Sequence, residues 1–153
     1  MAVSGAGLTV VRGTYLSQIS AVAILGNAVL ILAFASLAWR TAIKRQFQAH
    51  RLWAMRTFMV VSGVWFLRVG LMGWGVVNQG PVGMNKTMSG PADIVLTFGS
   101  YLIPLAFFEL YERAKASSRP SVRLWMSGLL VLASAYTAVG VFGAIAFMWL
   151  PYL

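Results

Sequence analysis

Four long apolar segments dominate this chain and limit what it can fold into. Each is close to the ~20 residues that an α-helix needs to cross the hydrocarbon core of a bilayer. Charged residues make up only 10% of the 153, whereas soluble domains contain roughly 25%. The short alternating segments of a membrane β-barrel are absent. The sequence therefore predicts an all-α membrane protein with one transmembrane domain over residues 1–153, and spans at about 17–38, 53–78, 93–112 and 124–150.

Basic residues are unevenly distributed between these predicted spans. Four lie between the first and second spans and four between the third and fourth, whereas residues 79–92 contain only Lys86 and the N-terminal arm only Arg12. Lysine and arginine mark the cytoplasmic side of a membrane protein. Because short connections favour antiparallel neighbours, we predict an antiparallel four-helix bundle in a bacterial cytoplasmic (inner) membrane, with both termini on the outer, periplasmic side.

The net charge of +9 comes from these same basic residues. Because the basic residues flank apolar runs, we expect them to meet anionic lipid at the inner face and not nucleic acid. The chain has no cysteine, which excludes disulfides, thiolate metal sites and cysteine catalysis. Its one histidine, His50, excludes a metal site built from several histidines. No Ser-His-acid arrangement is recognisable, so we predict no catalytic residue and no metal ligand, and an enzyme is the less favoured class.

Each predicted span has a polar side chain near its centre. A rise of 1.5 Å per residue places Asn27, Arg68, Tyr101 and Tyr136 at similar depth. An arginine at the bilayer centre costs about 2.5–3.5 kcal/mol on insertion scales, so it should face the bundle interior and be hydrogen-bonded there. We therefore expect Arg68 to lie inside the bundle, with Asn27, Tyr101, Tyr136 and Ser134 as candidate partners.

Three acidic residues are available to balance the arginines. Glu109 is predicted about 9 Å from the centre of its span, and Arg56 lies about 18 Å along the helix from Arg68, so Glu109 could pair with either arginine. We expect Asp93 to be the N-cap of the third helix and Glu112 to be solvated.

Two interpretations of these polar residues stay open. In the first, Arg68 and Glu109 hold the bundle together. In the second, Arg68 binds an anion, a carboxylate or a quinone carbonyl, for which a guanidinium is well suited. The full set of candidate ligand-binding residues is Arg68, Glu109, Asn27, Tyr101, Tyr136 and Arg56. His50 is expected either to be solvated or bonded to the backbone, or to bind a cofactor as an axial haem ligand.

The stretch "HRLWAMR", followed by a further arginine twelve residues later, resembles the bacterial membrane proteins grouped as DUF2306, a family of uncharacterised function. The matching positions are His50, Arg51, Trp53, Arg56 and Arg68. Ala54 stands where the family has methionine, and Glu109 in "YLIPLAFFELY" matches the glutamate that ends a later family helix. The resemblance covers about residues 17–115 and implies a helical membrane protein, without implying a reaction. Family members often have a further upstream helix and a second His-Arg element, which this chain is expected to lack.

Three functions fit these observations. The chain could be a small accessory or scaffold subunit of a larger membrane complex, packing against other membrane subunits or copies of itself. It could be a redox or small-ligand protein that binds haem or a quinone near Arg68 or His50. It could also be a small-anion transporter, although four helices are few and no inverted repeat is visible. Its small size and the lack of a complete catalytic constellation favour the accessory subunit.

Overall fold

The computed structural model describes residues 18–146, together with Gly7 and Leu150. Within residues 18–146 the chain forms helices and short connections and no strand. The helices are α1 (Gln18–Ile43), α2 (Phe47–Val61), α3 (Gly63–Val77), α4 (Pro91–Ala116) and α5 (Pro120–Ala144). Three of them, α1, α4 and α5, are long and apolar enough to cross a membrane, and α2 with α3 passes the same test as a bent pair.

These helices confirm the predicted helical class and three to four of the predicted spans. Their ends differ from the prediction because helices continue past the apolar residues by which the spans were recognised. The predicted connection at 39–52 shrinks to three residues, 44–46, between α1 and α2. Residue 17 of the first predicted span, residues 147–149 of the fourth and the arm with Arg12 lie outside the described residues. The antiparallel order of the spans and the side on which the termini lie stay predictions.

The second predicted span is bent, with an angle of 47° between α2 and α3. Ser62 lies at the bend, and its backbone N–H still donates to the carbonyl of Phe58 at 3.0 Å. A serine-glycine pair is a common site for a sharp helix kink. A Cβ at Gly63 would lie 3.2 Å from the Cβ of Tyr101 and 3.3 Å from Nδ2 of Asn27. The bend therefore coincides with a point where residues of α1 and α4 both lie against this span.

α4 is the helix on which the others pack, because it contacts each of the other four. Its buried residues run along its length: Ala92, Asp93, Thr97, Tyr101, Phe108 and Ala114. The two halves of the bent span have different main neighbours, since α2 packs chiefly on α1 and α3 chiefly on α5. The bend thus divides the helices into two pairs, α1–α2 and α3–α5, which α4 connects.

Asp93 occupies a different position from the one predicted. The N-cap of α4 is Gly90, and Pro91 is its first residue, which suits proline because its fixed φ is already helical and its missing N–H is not needed there. Asp93 therefore lies inside the first turn. Its Oδ2 accepts hydrogen bonds from the backbone N–H groups of Gly90 at 3.2 Å and Asn85 at 2.9 Å, so it ties the 78–90 connection to the start of α4.

Glycines allow α3 and α5 to lie in close contact. A Cβ at Gly140 would clash with the carbonyl oxygen of Val69 and lie 2.6 Å from its Cγ1. One turn further, a Cβ at Gly143 would lie 2.7 Å from Cγ2 of Val76. Without a hydrophobic driving force between helices in lipid, such close backbone approach supplies much of the packing energy.

We therefore expect Gly140→Ala to destabilise the protein by about 1–3 kcal/mol, because the added methyl group overpacks the α3–α5 contact. Gly128→Ala on the same helix is the matched control, since a Cβ there meets nothing within 4 Å. Thermal unfolding of both variants in the same detergent measures the difference. Equal melting temperatures for the two variants would contradict this account of the contact.

Candidate functional site

Arg56 and Glu109 form a two-pronged ion pair between α2 and α4. Nε of Arg56 donates to Oε1 of Glu109 at 2.6 Å, and Nη2 donates to Oε2 at 3.1 Å. Two parallel bonds of this kind are stronger and more directional than a single charged contact. Of the two pairings open to Glu109 from the sequence, the structure confirms the one with Arg56.

Aromatic rings from α1 and α2 lie against this ion pair. Cζ of Arg56 lies 4.6 Å from the centroid of the Trp53 ring, within the range of a cation–π interaction. The Trp53 ring in turn lies 5.6 Å from that of Phe34 on α1. The guanidinium therefore contacts a carboxylate of α4 and a ring of α2, and that ring connects it to α1.

A second ion pair lies one turn nearer the end of α4. Nη2 of Arg51 donates to both carboxylate oxygens of Glu112, at 3.1 and 3.3 Å. Glu112 was expected to be solvated; 23% of its side chain is exposed, and it also pairs with Arg51. Glutamates three residues apart on one helix share a face, and this spacing, with Arg51 and Arg56 at the start of the preceding span, is the signal that could have found the pair. The contact also places the basic α1–α2 connection and the basic end of α4 at the same end of the molecule.

His50 joins α2 to α1. Its Nδ1 lies 2.9 Å from the carbonyl oxygen of Ala38, which is the backbone-bonded alternative predicted for it. A histidine held in this way keeps Nε2 free, as metal-binding histidines do. However, His50 and Arg68 lie roughly 25 Å apart, given 1.5 Å per residue and the 47° bend. One haem or one quinone head therefore does not contact both residues.

Asn27 and Tyr101 meet at the bend of the second span, where both lie against Gly63. Tyr101 is buried, with 5% of its surface exposed. Oδ1 of Asn27 is also buried and has no hydrogen-bond partner among the described residues. The structure thus brings these two predicted residues together. Tyr136 lies elsewhere, and its hydroxyl donates to the carbonyl of Gly70 at 3.1 Å.

Arg68 does not face the bundle interior, so that expectation was wrong. Its side chain is exposed on α3, and across residues 18–146 no hydrogen bond or ion pair holds its guanidinium. The physical reason lies in the glycine packing. Gly70 and Gly73 are buried on the face of α3 turned toward α4 and α5. At about 100° per residue, Arg68 lies about 200° from Gly70, on the opposite side of the helix.

Comparison of the chain with protein-family models, with curated proteins and with solved structures finds no match. The resemblance to DUF2306 therefore stays a prediction. The positions that carry it separate into two groups in the structure. Four of them, on α2, contact α1 or α4 through hydrogen bonds, ion pairs or ring contacts: His50, Arg51, Trp53 and Arg56. The fifth, Arg68, has no such contact.

The site therefore has two parts. In the first, four residues of α2 make contacts that hold α1, α2 and α4 together. No group of three or more histidine, aspartate or glutamate side chains able to hold a metal ion occurs in the described part of the chain. Across residues 18–146 the guanidinium of Arg68 has no hydrogen-bond or ion-pair partner, although it lies within an apolar helix.

We expect Glu109→Gln to destabilise the protein by about 1.5–3 kcal/mol, because it removes a carboxylate that accepts from two nitrogens of Arg56. Glu112→Gln is the matched control one turn away. It should change stability by less than about 1 kcal/mol, since Arg51 uses one nitrogen and 51% of its side chain is exposed. Unfolding of the two variants in detergent gives the comparison. An equal loss of stability in both variants would contradict the expectation that the Arg56–Glu109 pair stabilises the protein more than the Arg51–Glu112 pair.

Proposed function

We propose that this chain is a small accessory subunit of a larger complex in the bacterial cytoplasmic membrane. In this proposal it binds a neighbouring membrane subunit through the α3 surface made by Val64, Trp65 and Arg68, referred to as the Arg68 face. The observation that carries the proposal is the exposed guanidinium of Arg68 in the middle of an apolar helix.

The position of Arg68 makes contact with lipid alone unfavourable. It lies nine residues before Val77, the last residue of α3, or about 13 Å along the axis. The side chains one turn before it are apolar and exposed, with 62% of Val64 and 49% of Trp65 accessible. A charged group at such depth nearly always faces protein or a water-filled cavity and pairs there. A subunit that covers the Arg68 face would provide that environment.

The chain has no acid left to pair with Arg68. Of its three acids, Glu109 pairs with Arg56 and Glu112 pairs with Arg51. Asp93 accepts from two backbone N–H groups at the start of α4. All three acidic side chains are thus engaged elsewhere, and we infer that a group from another chain meets Arg68.

A different subunit satisfies this requirement better than a second copy does. A second copy has the same three acids in the same contacts, and in a twofold dimer through this face the two arginines would repel each other. A carboxylate or a row of carbonyl oxygens on another membrane helix would complement the guanidinium. A quinone carbonyl at Arg68 is the alternative, and a small-anion transporter gains no support from the observed contacts.

We expect the wild-type chain, purified gently from its native membrane, to carry a second membrane subunit in fixed stoichiometry. Arg68→Leu should reduce the amount of that subunit at least about tenfold, because loss of one partner of a buried charged contact costs 2–5 kcal/mol or more. Arg68→Lys should retain part of it, since the positive charge is kept. Native mass spectrometry of the purified material measures the stoichiometry.

Arg40→Leu is the control, because Arg40 is also exposed but lies in the last turn of α1, away from the Arg68 face. It should leave the subunit bound. A wild-type chain that purifies alone, or an Arg68→Leu chain that keeps its partner, would overturn the proposal. A quinone that is bound by the wild type and lost with Arg68→Leu would replace it with the ligand-binding function.

A further inference from the structure

A groove lies between the end of α4 and the beginning of α5, at the basic end of the molecule. Its volume is about 330 Å³. The residues that line it are Tyr111, Ala114 and Lys115 from α4, and Arg123, Met126, Ser127 and Leu130 from α5. Counted from Tyr111 and from Arg123, the other positions on each helix follow after three, four or seven residues, which is the spacing of a single helix face. The groove is therefore formed by two facing helix surfaces and follows their length.

The mouth of the groove is positively charged. Lys115 and Arg123 are both exposed there. Nε of Arg123 donates to the carbonyl oxygen of Ser117 at 3.1 Å, which orients the guanidinium and leaves its two terminal nitrogens for a ligand. The acid nearest in sequence, Glu112, is paired with Arg51. An anion at the mouth therefore meets two cations that no acid of the chain neutralises.

The other end of the groove is apolar. Met126 is buried and Leu130 is half exposed, at 6% and 40% of their surfaces. Leu130 lies seven residues beyond Arg123, or about 10 Å along the axis of α5. Both helices belong to candidate membrane spans, so this direction leads from the charged helix ends toward the hydrocarbon core.

We propose that this groove is a binding site for an anionic phospholipid. Lys115 and Arg123 would hold the headgroup phosphate, and one acyl chain would lie along Met126 and Leu130. Basic recesses between membrane helices at the cytoplasmic side are places where anionic headgroups bind. The combination of a charged mouth and an apolar continuation fits an amphiphile, whereas free phosphate would use the mouth alone. The site lies on α4 and α5, away from the Arg68 face, and does not rest on the proposed subunit contact.

The test is a lipid titration of the full-length chain in detergent, followed by native mass spectrometry. We expect one phosphatidylglycerol to remain bound more tightly than phosphatidylcholine. Lys115→Ala with Arg123→Ala should weaken phosphatidylglycerol binding about 25-fold, from about fivefold for each cation near the membrane surface. Arg123→Lys should retain most of the affinity. Leu130→Gln should also weaken binding, because the acyl chain loses its apolar contact.

Arg40→Ala with Lys44→Ala is the matched control, because it removes the same two charges from exposed positions outside the groove. It should change binding less than about twofold, since surface charge away from the groove acts only through the screened field. If the two double variants weaken phosphatidylglycerol binding equally, the lipid is attracted by general surface charge and the proposed site is overturned. Displacement of the lipid by millimolar inorganic phosphate, or no effect of Leu130→Gln, would overturn the lipid assignment in favour of a simple anion site.

Discussion

The bidentate contact between Arg56 and Glu109 is the interaction on which the arrangement of the helices depends. Both side chains are partly buried, with 20% of Arg56 and 36% of Glu109 exposed, and removal of either would leave the other charge unpaired. Together they connect α2 to α4 through two hydrogen bonds, and Trp53 extends the contact toward α1. Polar and aromatic contacts thereby hold α2, the first half of the bent span, against α1 and α4.

The second half of the same span, α3, packs through a different kind of contact. α3 meets α5 through glycines whose missing side chains let the backbones approach, as at Gly140 against Val69. Because α3 is closely packed on one side, its other side is exposed. Because Arg68 lies on that other side, the glycine contact and the exposure of the arginine are two consequences of one helix orientation. This connects the fold to the proposed function, in which another subunit covers the exposed face.

Several features were predictable from local pattern. Long apolar runs predicted the helices because a helix satisfies its backbone groups within one segment in lipid. The distances along α2 and α4 predicted that Glu109 could reach Arg56, and a bond to the backbone was one of the alternatives predicted for His50, which contacts Ala38. The bend has a local signal in the Ser62-Gly63 pair, whereas the facing of Arg68 was not predictable in this way. It depends on which helices lie against α3, and no spacing within one segment contains that information.

The sequence by itself determined the class of protein and the places of its charges. Apolar length defines the possible spans, and the small number of acids left Glu109 with two possible arginine partners. Only the tertiary structure decided which side of each helix is buried. Between α3 and α5 that choice involves close contacts at glycines, as at Gly140 against Val69, and a glycine has no side chain by which a hydrophobic pattern could indicate its neighbour. The orientation of Arg68 and the groove between α4 and α5 were decided at this level, because each is a surface that helix packing leaves uncovered.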